Sequence, residues 1–146
     1  MQSRQHLAEV AAGDRALFEA RVHQMLELCS AGNLAAMMDY VSEDIVYEMV
    51  GNWSMFPFSQ PVRGKEAFAH ALGFIFTHFQ SLGSEVHDIV VDGDRVAIRR
   101  TTRLRATGTN REGDIAVVDF VRFRDGLLTE LIELVDSLAM ARLEES

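Results

Sequence analysis

The sequence predicts an α+β domain: a curved, largely antiparallel (mixed) sheet wrapped around three helices, cone-shaped, with one internal pocket. Three observations predict it. Helical spacing of apolar residues is confined to the first half of the chain, and strand alternation fills the second half without intervening helices. The turns between those alternating runs, Asp92-Gly93-Asp94 and Asp125-Gly126, are of hairpin type. Helices followed by a run of strands give α+β rather than alternating β/α, and a long antiparallel sheet with helices on one face twists and curls around them.

Taken in order, residues 14–31 read as a helix. Asp14 can cap it, Phe18, Val22, Met25 and Cys29 repeat at helical spacing, and Gly32 ends it. Asn33 can cap a short second helix whose apolar side is Leu34, Met37, Met38 and Val41. Residues 44–50 alternate as a strand with Ile45, Tyr47 and Met49 on one face. Residues 52–61 (NWSMFPFSQP) carry Trp53, Met55, Phe56 and Phe58, which form either the lip of the pocket or an apolar loop packed over the helices. Residues 64–82 read as a second long helix with Phe68, Leu72, Ile75 and Phe79 as its buried stripe, closed by Gly83. Strands follow at 86–91, 95–107, 115–124 and 127–136, then a short helical tail at 137–146. The whole chain, 1–146, reads as one domain, with 1–13 as an N-terminal extension.

Composition narrows the partners. A net charge of −8 over 146 residues argues against generic nucleic-acid binding. The single cysteine, Cys29, forbids an intrachain disulfide and suits a reducing cytoplasm. The first residues lack the apolar run of a signal peptide, and no stretch approaches the ~20 apolar residues of a membrane span. A soluble cytoplasmic protein is expected, with no membrane and no nucleic acid among its partners. His23, His70, His78 and His87 show no metal-ligand spacing, and Gly108 and Gly113 flank a hairpin loop rather than a helix start. Neither a metal nor a cofactor is expected.

Strand parity singles out the candidate site. In the strand from residue 95, the even positions Val96, Ile98, Thr102, Leu104 and Ala106 are the inward set, with Arg100 the exception among them; the odd positions are mostly arginine. In the next strand the inward set is Ile115, Val117, Val121 and Phe123, with Asp119 the exception. If Asp125-Gly126 is a two-residue turn, Leu128, Glu130, Ile132, Leu134 and Asp136 follow on the inward face of the last strand, leaving Thr129, Leu131, Glu133 and Val135 outside. Glu130 lies near the turn, at the wet end. Arg100, Asp119 and Asp136 therefore point into an apolar interior, where charge is costly unless paired or neutralised. Arg100 and Asp119 are expected to pair, as a structural ion pair or as an anchor for a substrate carbonyl or carboxylate. Asp136 is expected to be a general acid or base with a pKa raised by desolvation, or else a strand-end residue that caps the tail. Cys29 reads as an inert core residue.

The element order, SAGNLAAMMDYVSEDIVYEM, PVRGKEAF and the ending DFVRFRDGLLTELIELVD resemble the nuclear transport factor 2 superfamily, with its cystatin-like fold, ketosteroid isomerase, SnoaL-like polyketide cyclases and limonene-epoxide hydrolase. The resemblance implies that Asp119 matches the isomerase's oxyanion-binding acid. Met49 and Met25 stand where that enzyme has its general base and oxyanion tyrosine, so steroid isomerisation is not expected. It implies that Asp136 stands where the cyclases and the hydrolase place a catalytic acid, Arg100 at the hydrolase's arginine, Tyr47 at its water-binding tyrosine and Thr102 at its second aspartate. A SnoaL-like small-molecule protein is expected, performing cofactor-independent acid/base chemistry (cyclisation, isomerisation or hydration) on a small apolar carbonyl compound. The catalytic residues would be Asp136, Asp119 and Arg100, and the ligand-binding ones Tyr47, Met49, Trp53, Phe56, Thr102 and Met25. The resemblance also implies a homodimer through the outer sheet face. The alternative is a non-catalytic ligand-binding or dimerisation module of the same fold.

Overall fold

The computed structural model describes residues 4–51 and 60–146, with residues 5–13 described in backbone only. Along the chain run α1 (Arg4–Ser30), α2 (Leu34–Met38), β1 (Val41–Val50), β2 (Val62–Arg63), α3 (Lys65–His78), β3 (Phe79–Asp92), β4 (Arg95–Ala106), β5 (Glu112–Arg124), β6 (Leu127–Val135) and α4 (Ser137–Glu144). The six strands form one open sheet in the order β2-β1-β6-β5-β4-β3. The β1–β6 pair is parallel and the other pairs are antiparallel.

Local chemistry sets most boundaries. Gly32, at φ 66°, reverses the chain after α1, and the Asn33 side chain accepts from Ala36 N at 3.2 Å to cap α2. Asp125 and Gly126 both adopt positive φ, as a two-residue type I′ hairpin turn requires, and Arg124 faces Leu127 across it. Two helix boundaries differ from expectation. α1 begins at Arg4, so Asp14 lies inside it instead of capping it, and residues 4–13 are helical. α3 stops at His78, and Phe79 starts a strand: the far half of β4, Thr102 to Ala106, needs a partner for its edge, and Phe79–Ser84 supplies it. Thr107 fastens that corner, its N–H donating to His78 O at 3.0 Å and its hydroxyl to Thr77 O at 2.7 Å.

The concave face of the sheet and the helices share one core. Inward residues of β4 (Val96, Ile98, Ala106) and β5 (Ile115, Val117, Phe123) are almost wholly buried, as alternation predicts. Phe68 and Leu72 of α3 and Val22 of α1 pack against them. The Phe18 ring stacks on Phe123 at 5.2 Å, and Tyr47 meets Phe68 edge-on at 5.1 Å. Met140 and Leu143 of α4 are buried as well, so the tail closes one end of the cone as a fourth helix.

The last strand departs from the regular hairpin. Phe123 faces Leu128, but Arg122 faces Glu130, so Thr129 is an extra residue bulged out of the ladder, its hydroxyl donating to Arg122 O at 3.2 Å. One extra residue reverses the parity of everything after it. Leu131, Glu133 and Val135 therefore turn to the concave face, while Leu134 and Asp136 turn out.

Candidate functional site

Five polar side chains converge on the oily concave face, one from each of five strands. Asp119 of β5 stands directly opposite Glu133 of β6, and Arg100 of β4 sits two residues beyond Ile98, which faces Asp119 from the other side. Arg100 Nε donates to Asp119 Oδ2 at 2.7 Å, Nη2 to Glu133 Oε2 at 3.2 Å, and Nη1 to Ser84 Oγ of β3 at 3.1 Å. Tyr47 of β1 donates its hydroxyl to Glu133 Oε1 at 2.9 Å. Arg100 and Asp119 expose only 8% and 4% of their surface, and Tyr47 none.

The charges do not cancel. One guanidinium faces two carboxylates in a region of low dielectric, so the cluster carries an extra negative charge unless one carboxyl holds a proton. Burial pushes the Glu133 carboxyl up to about 7; the Asp119 charge adds to the rise and Arg100 opposes it. Burial, then the charge of Glu133, keep the Tyr47 hydroxyl protonated well above its ordinary range. Asp119 Oδ1 is buried and has no hydrogen-bond partner among the described residues.

The cluster borders empty space. A cavity of about 90 Å³ lies toward α1, α2 and α3, walled by Val22, Met25, Phe68, Leu72, Ile98 and Leu128 and reached by Asp119. A second, of about 80 Å³, lies toward α4 and β3, walled by Met49, Phe79, Thr102, Leu104, Ile115 and Met140. The two share Cys29, Leu72, Arg100 and Glu133, so they are lobes of the interior that meet at the charged cluster. A larger groove of about 840 Å³ runs outside, along β2 and α3, and holds none of these buried charges.

The structure thus brings together Arg100, Asp119, Met25, Met49 and Thr102 around the lobes, with Tyr47 buried behind them against Glu133. Trp53 and Phe56, and with them the expected lip, lie outside the described residues. Asp136 does not belong: it is exposed, and its Oδ1 accepts from Ala139 N at 3.1 Å as the N-cap of α4. The cause is the Thr129 bulge, which places Glu133 where regular alternation would place a neighbour. Glu133 is the buried carboxylate of the cluster that parity reasoning missed. Among the described residues no three His, Cys, Asp or Glu side chains form a metal-ligating group, and no described helix is long and apolar enough to cross a membrane.

An open six-stranded α+β cone with paired charges at the waist of an apolar interior defines a class of small-molecule pocket proteins. Residues 22–131 match the family model of the SnoaL-like domain, and the chain belongs to that family. No curated protein sequence matches the chain. Solved structures share the fold. An isomerase-class protein structure from Rhodopseudomonas palustris, its activity unproven, aligns with TM-score 0.72 at 21% identity over 82% of this chain and 88% of its own. Wild-type IdmH from Streptomyces antibioticus, for which polyketide cyclase activity is proposed, aligns with TM-score 0.70 at 24% identity over 86% and 96%. An LEH-like epoxide hydrolase from M. tuberculosis aligns with TM-score 0.66 at 22% identity over 84% and 85%.

Proposed function

We propose that the chain is an enzyme that moves protons with Glu133 on a small, mostly apolar carbonyl compound held inside the cone, in a cyclisation, isomerisation or hydration. One observation carries this reading: a carboxyl with a pKa of about 7, gripped by Arg100 and Tyr47, stands where two apolar lobes meet. A group half-protonated near neutrality both takes and returns a proton efficiently. In an isomerisation or cyclisation Glu133 takes the proton from the carbon beside the carbonyl and returns it elsewhere on the product; in a hydration it takes a proton from the water whose oxygen adds to the substrate and returns it to the adjoining atom, so each step balances without a cofactor. Tyr47 and Arg100 each hold one Glu133 oxygen and orient it. Arg100 and Asp119 keep the charge of the cluster within one unit of neutrality through the cycle. Met25, Met49 and Thr102 wall the lobes. The isomerase, cyclase and epoxide hydrolase names among the fold's relatives are all of proton-transfer chemistry, which supports the reading.

A homodimer belongs to the same proposal. Val90, Ala97, Phe120 and Ile132 stand side by side across β3, β4, β5 and β6 as one row of apolar residues on the convex face. Val90 and Phe120 expose 59% and 47% of their surface. Ion pairs within the chain, Arg99–Asp88 and Arg103–Asp114, hold neighbouring convex-face charges, which leaves the row itself to be covered by its copy.

The test is exchange of the α-hydrogens of cyclohexanone in D2O, followed by NMR. The unaltered chain should accelerate exchange, and Glu133→Gln should lose on the order of 10²–10⁴ of that acceleration. Carbon NMR of the Glu133 carboxyl should titrate near 7. An ordinary midpoint near ~4.3, or exchange undiminished by Glu133→Gln, overturns the assignment.

A further inference from the structure

We propose that Ser84 is a positioning residue of the proton-transfer site: its hydroxyl tethers the guanidinium of Arg100 toward β3 and so holds it back from Glu133. The inference deepens the reading of Glu133 above and rests on it for the identity of the site.

The tether begins in the register of β3. Ser81 faces Leu104, but Ser84 faces Thr102, so Leu82 and Gly83 together stand against Arg103. A second irregularity follows: Val86 faces Arg100 and Asp88 faces Arg99, which leaves His87 as an extra residue. Each extra residue reverses the parity of what comes after it. Phe79 and Ser81 are inward before the first bulge, Ser84 and Val86 between the two, and Ile89 and Val91 after the second. Without the first bulge Glu85 would share the inward face with Phe79 and Ser81, and a third carboxylate would stand beside a single guanidinium. With the bulge Glu85 is exposed, and the neutral hydroxyl of Ser84 meets Arg100 instead. Gly83 allows the bulge, because its φ of 126° is a conformation that other residues rarely adopt. Thr102 secures it, its hydroxyl donating to Gly83 O at 3.3 Å.

Position across the sheet gives the tether its effect. In the order β6-β5-β4-β3, Glu133 and Asp119 lie on one side of Arg100 and Ser84 on the other. Ser84 is the diagonal neighbour of Arg100, within reach of a long side chain. The guanidinium is thus drawn from both sides. Its bond to Asp119, at 2.7 Å, has the ordinary length of a charge-assisted bond, whereas its bond to Glu133, at 3.2 Å, is longer than the usual span of about 2.7–2.9 Å. Glu133 faces Tyr47 from β1, Arg100 from β4, Asp119 from β5 and the Cys29 thiol from α1, while α3 and α4 present apolar Leu72 and Met140. Arg100 is the one cation in that set, so its distance governs how readily the Glu133 anion forms. Without the Ser84 oxygen the pull comes from one side, the guanidinium moves toward the carboxylates, and Glu133 gives up its proton more easily.

Carbon NMR of the Glu133 carboxyl and the pH profile of cyclohexanone exchange test this on the full chain. In Ser84→Ala the proton affinity of Glu133 should drop about three- to tenfold, and the lower limb of the exchange profile should move to lower pH with it. Ser84→Thr, which keeps the hydroxyl on a good strand former, should titrate like the unaltered chain. If Ser84→Ala does not fold, Ser84→Cys takes its place: the shape is nearly kept, sulfur is a weak acceptor, and the midpoint should fall in the same direction. An unmoved or raised midpoint, the result if water takes over the bond of the hydroxyl, overturns the proposal even where urea denaturation shows lost stability, because a hydroxyl that only stabilises the fold leaves the midpoint in place. Ser84→Thr behaving like Ser84→Ala also overturns it. A lowered midpoint with no cyclohexanone exchange by the unaltered chain removes the catalytic reading and leaves the tether. Exchange with an unmoved midpoint removes the tether and leaves the role of Glu133.

Discussion

Glu133 holds its proton more tightly in the folded chain than in the unfolded one, and the difference is a stability that changes with pH. Its carboxyl moves from an ordinary 4.5 to about 7 on folding, chiefly because burial penalises the anion. Between those values the native state binds more protons than the unfolded state, so stability falls as pH rises. The favourable contribution of the protonated form is complete below about 4.5 and lost by the time the pH passes 7. Urea denaturation of the unaltered chain should show this decline across pH 5 to 7.5. Glu133→Gln keeps the shape and a donor and acceptor but cannot ionise, and should lack that part of the slope. A slope unchanged in the variant would mean that another group causes it.

The Thr129 bulge decides which residue of β6 reaches the interior. Deleting Thr129 removes the extra residue but keeps Val121 opposite Leu131 and Asp119 opposite Glu133, so the deleted chain should fold and Glu133 should still titrate near 7 by carbon NMR. In a regular hairpin the same deletion would turn the whole apolar set outward and the protein would not fold. Asp136→Ala should cost about 1 kcal/mol in denaturation, the usual loss of an N-cap, and leave the Glu133 titration unmoved. The faces of β4 and β5 are legible in the sequence because the outer positions of β4 are mostly arginine and the outer positions of β5 include Glu112, Asp114, Arg122 and Arg124, against inner sets that are apolar but for Arg100, Thr102 and Asp119. That legibility gave Arg100, Asp119 and their pairing. β6 reads LLTELIELV, with leucine, isoleucine or valine at both parities. It is a central strand between β1 and β5, with apolar residues on both its faces, and no pattern marks where the parity changes. The Phe79 boundary was hidden for a similar reason. An apolar residue at helical spacing serves a strand equally well, and the deciding factor was the unpaired far end of β4, a long-range demand.

For the molecule as a whole, the convex row of Val90, Ala97, Phe120 and Ile132 predicts association. Sedimentation velocity at micromolar concentration should show a dimer for the unaltered chain. Phe120→Asp should yield a folded monomer, because its charge sits on an exposed site and opposes its own copy across a two-fold axis. A monomer from the unaltered chain would remove the dimer from the proposal and leave the interior site untouched.

The placement of Cys29 has a practical consequence. The lone sulfhydryl sits at the waist between the lobes, and burial, reinforced by the charge of Glu133, lifts its pKa to about 11. At pH 8 roughly one molecule in a thousand carries the reactive thiolate, on a side chain that is only partly exposed. Labelling by a maleimide or a disulfide reagent should then be slow and should quicken whenever the helices lift from the sheet, so the labelling rate is a clock for breathing of the shell. A compound seated in the lobes should slow that clock, which gives a screen for occupants that needs neither a known substrate nor a turnover assay.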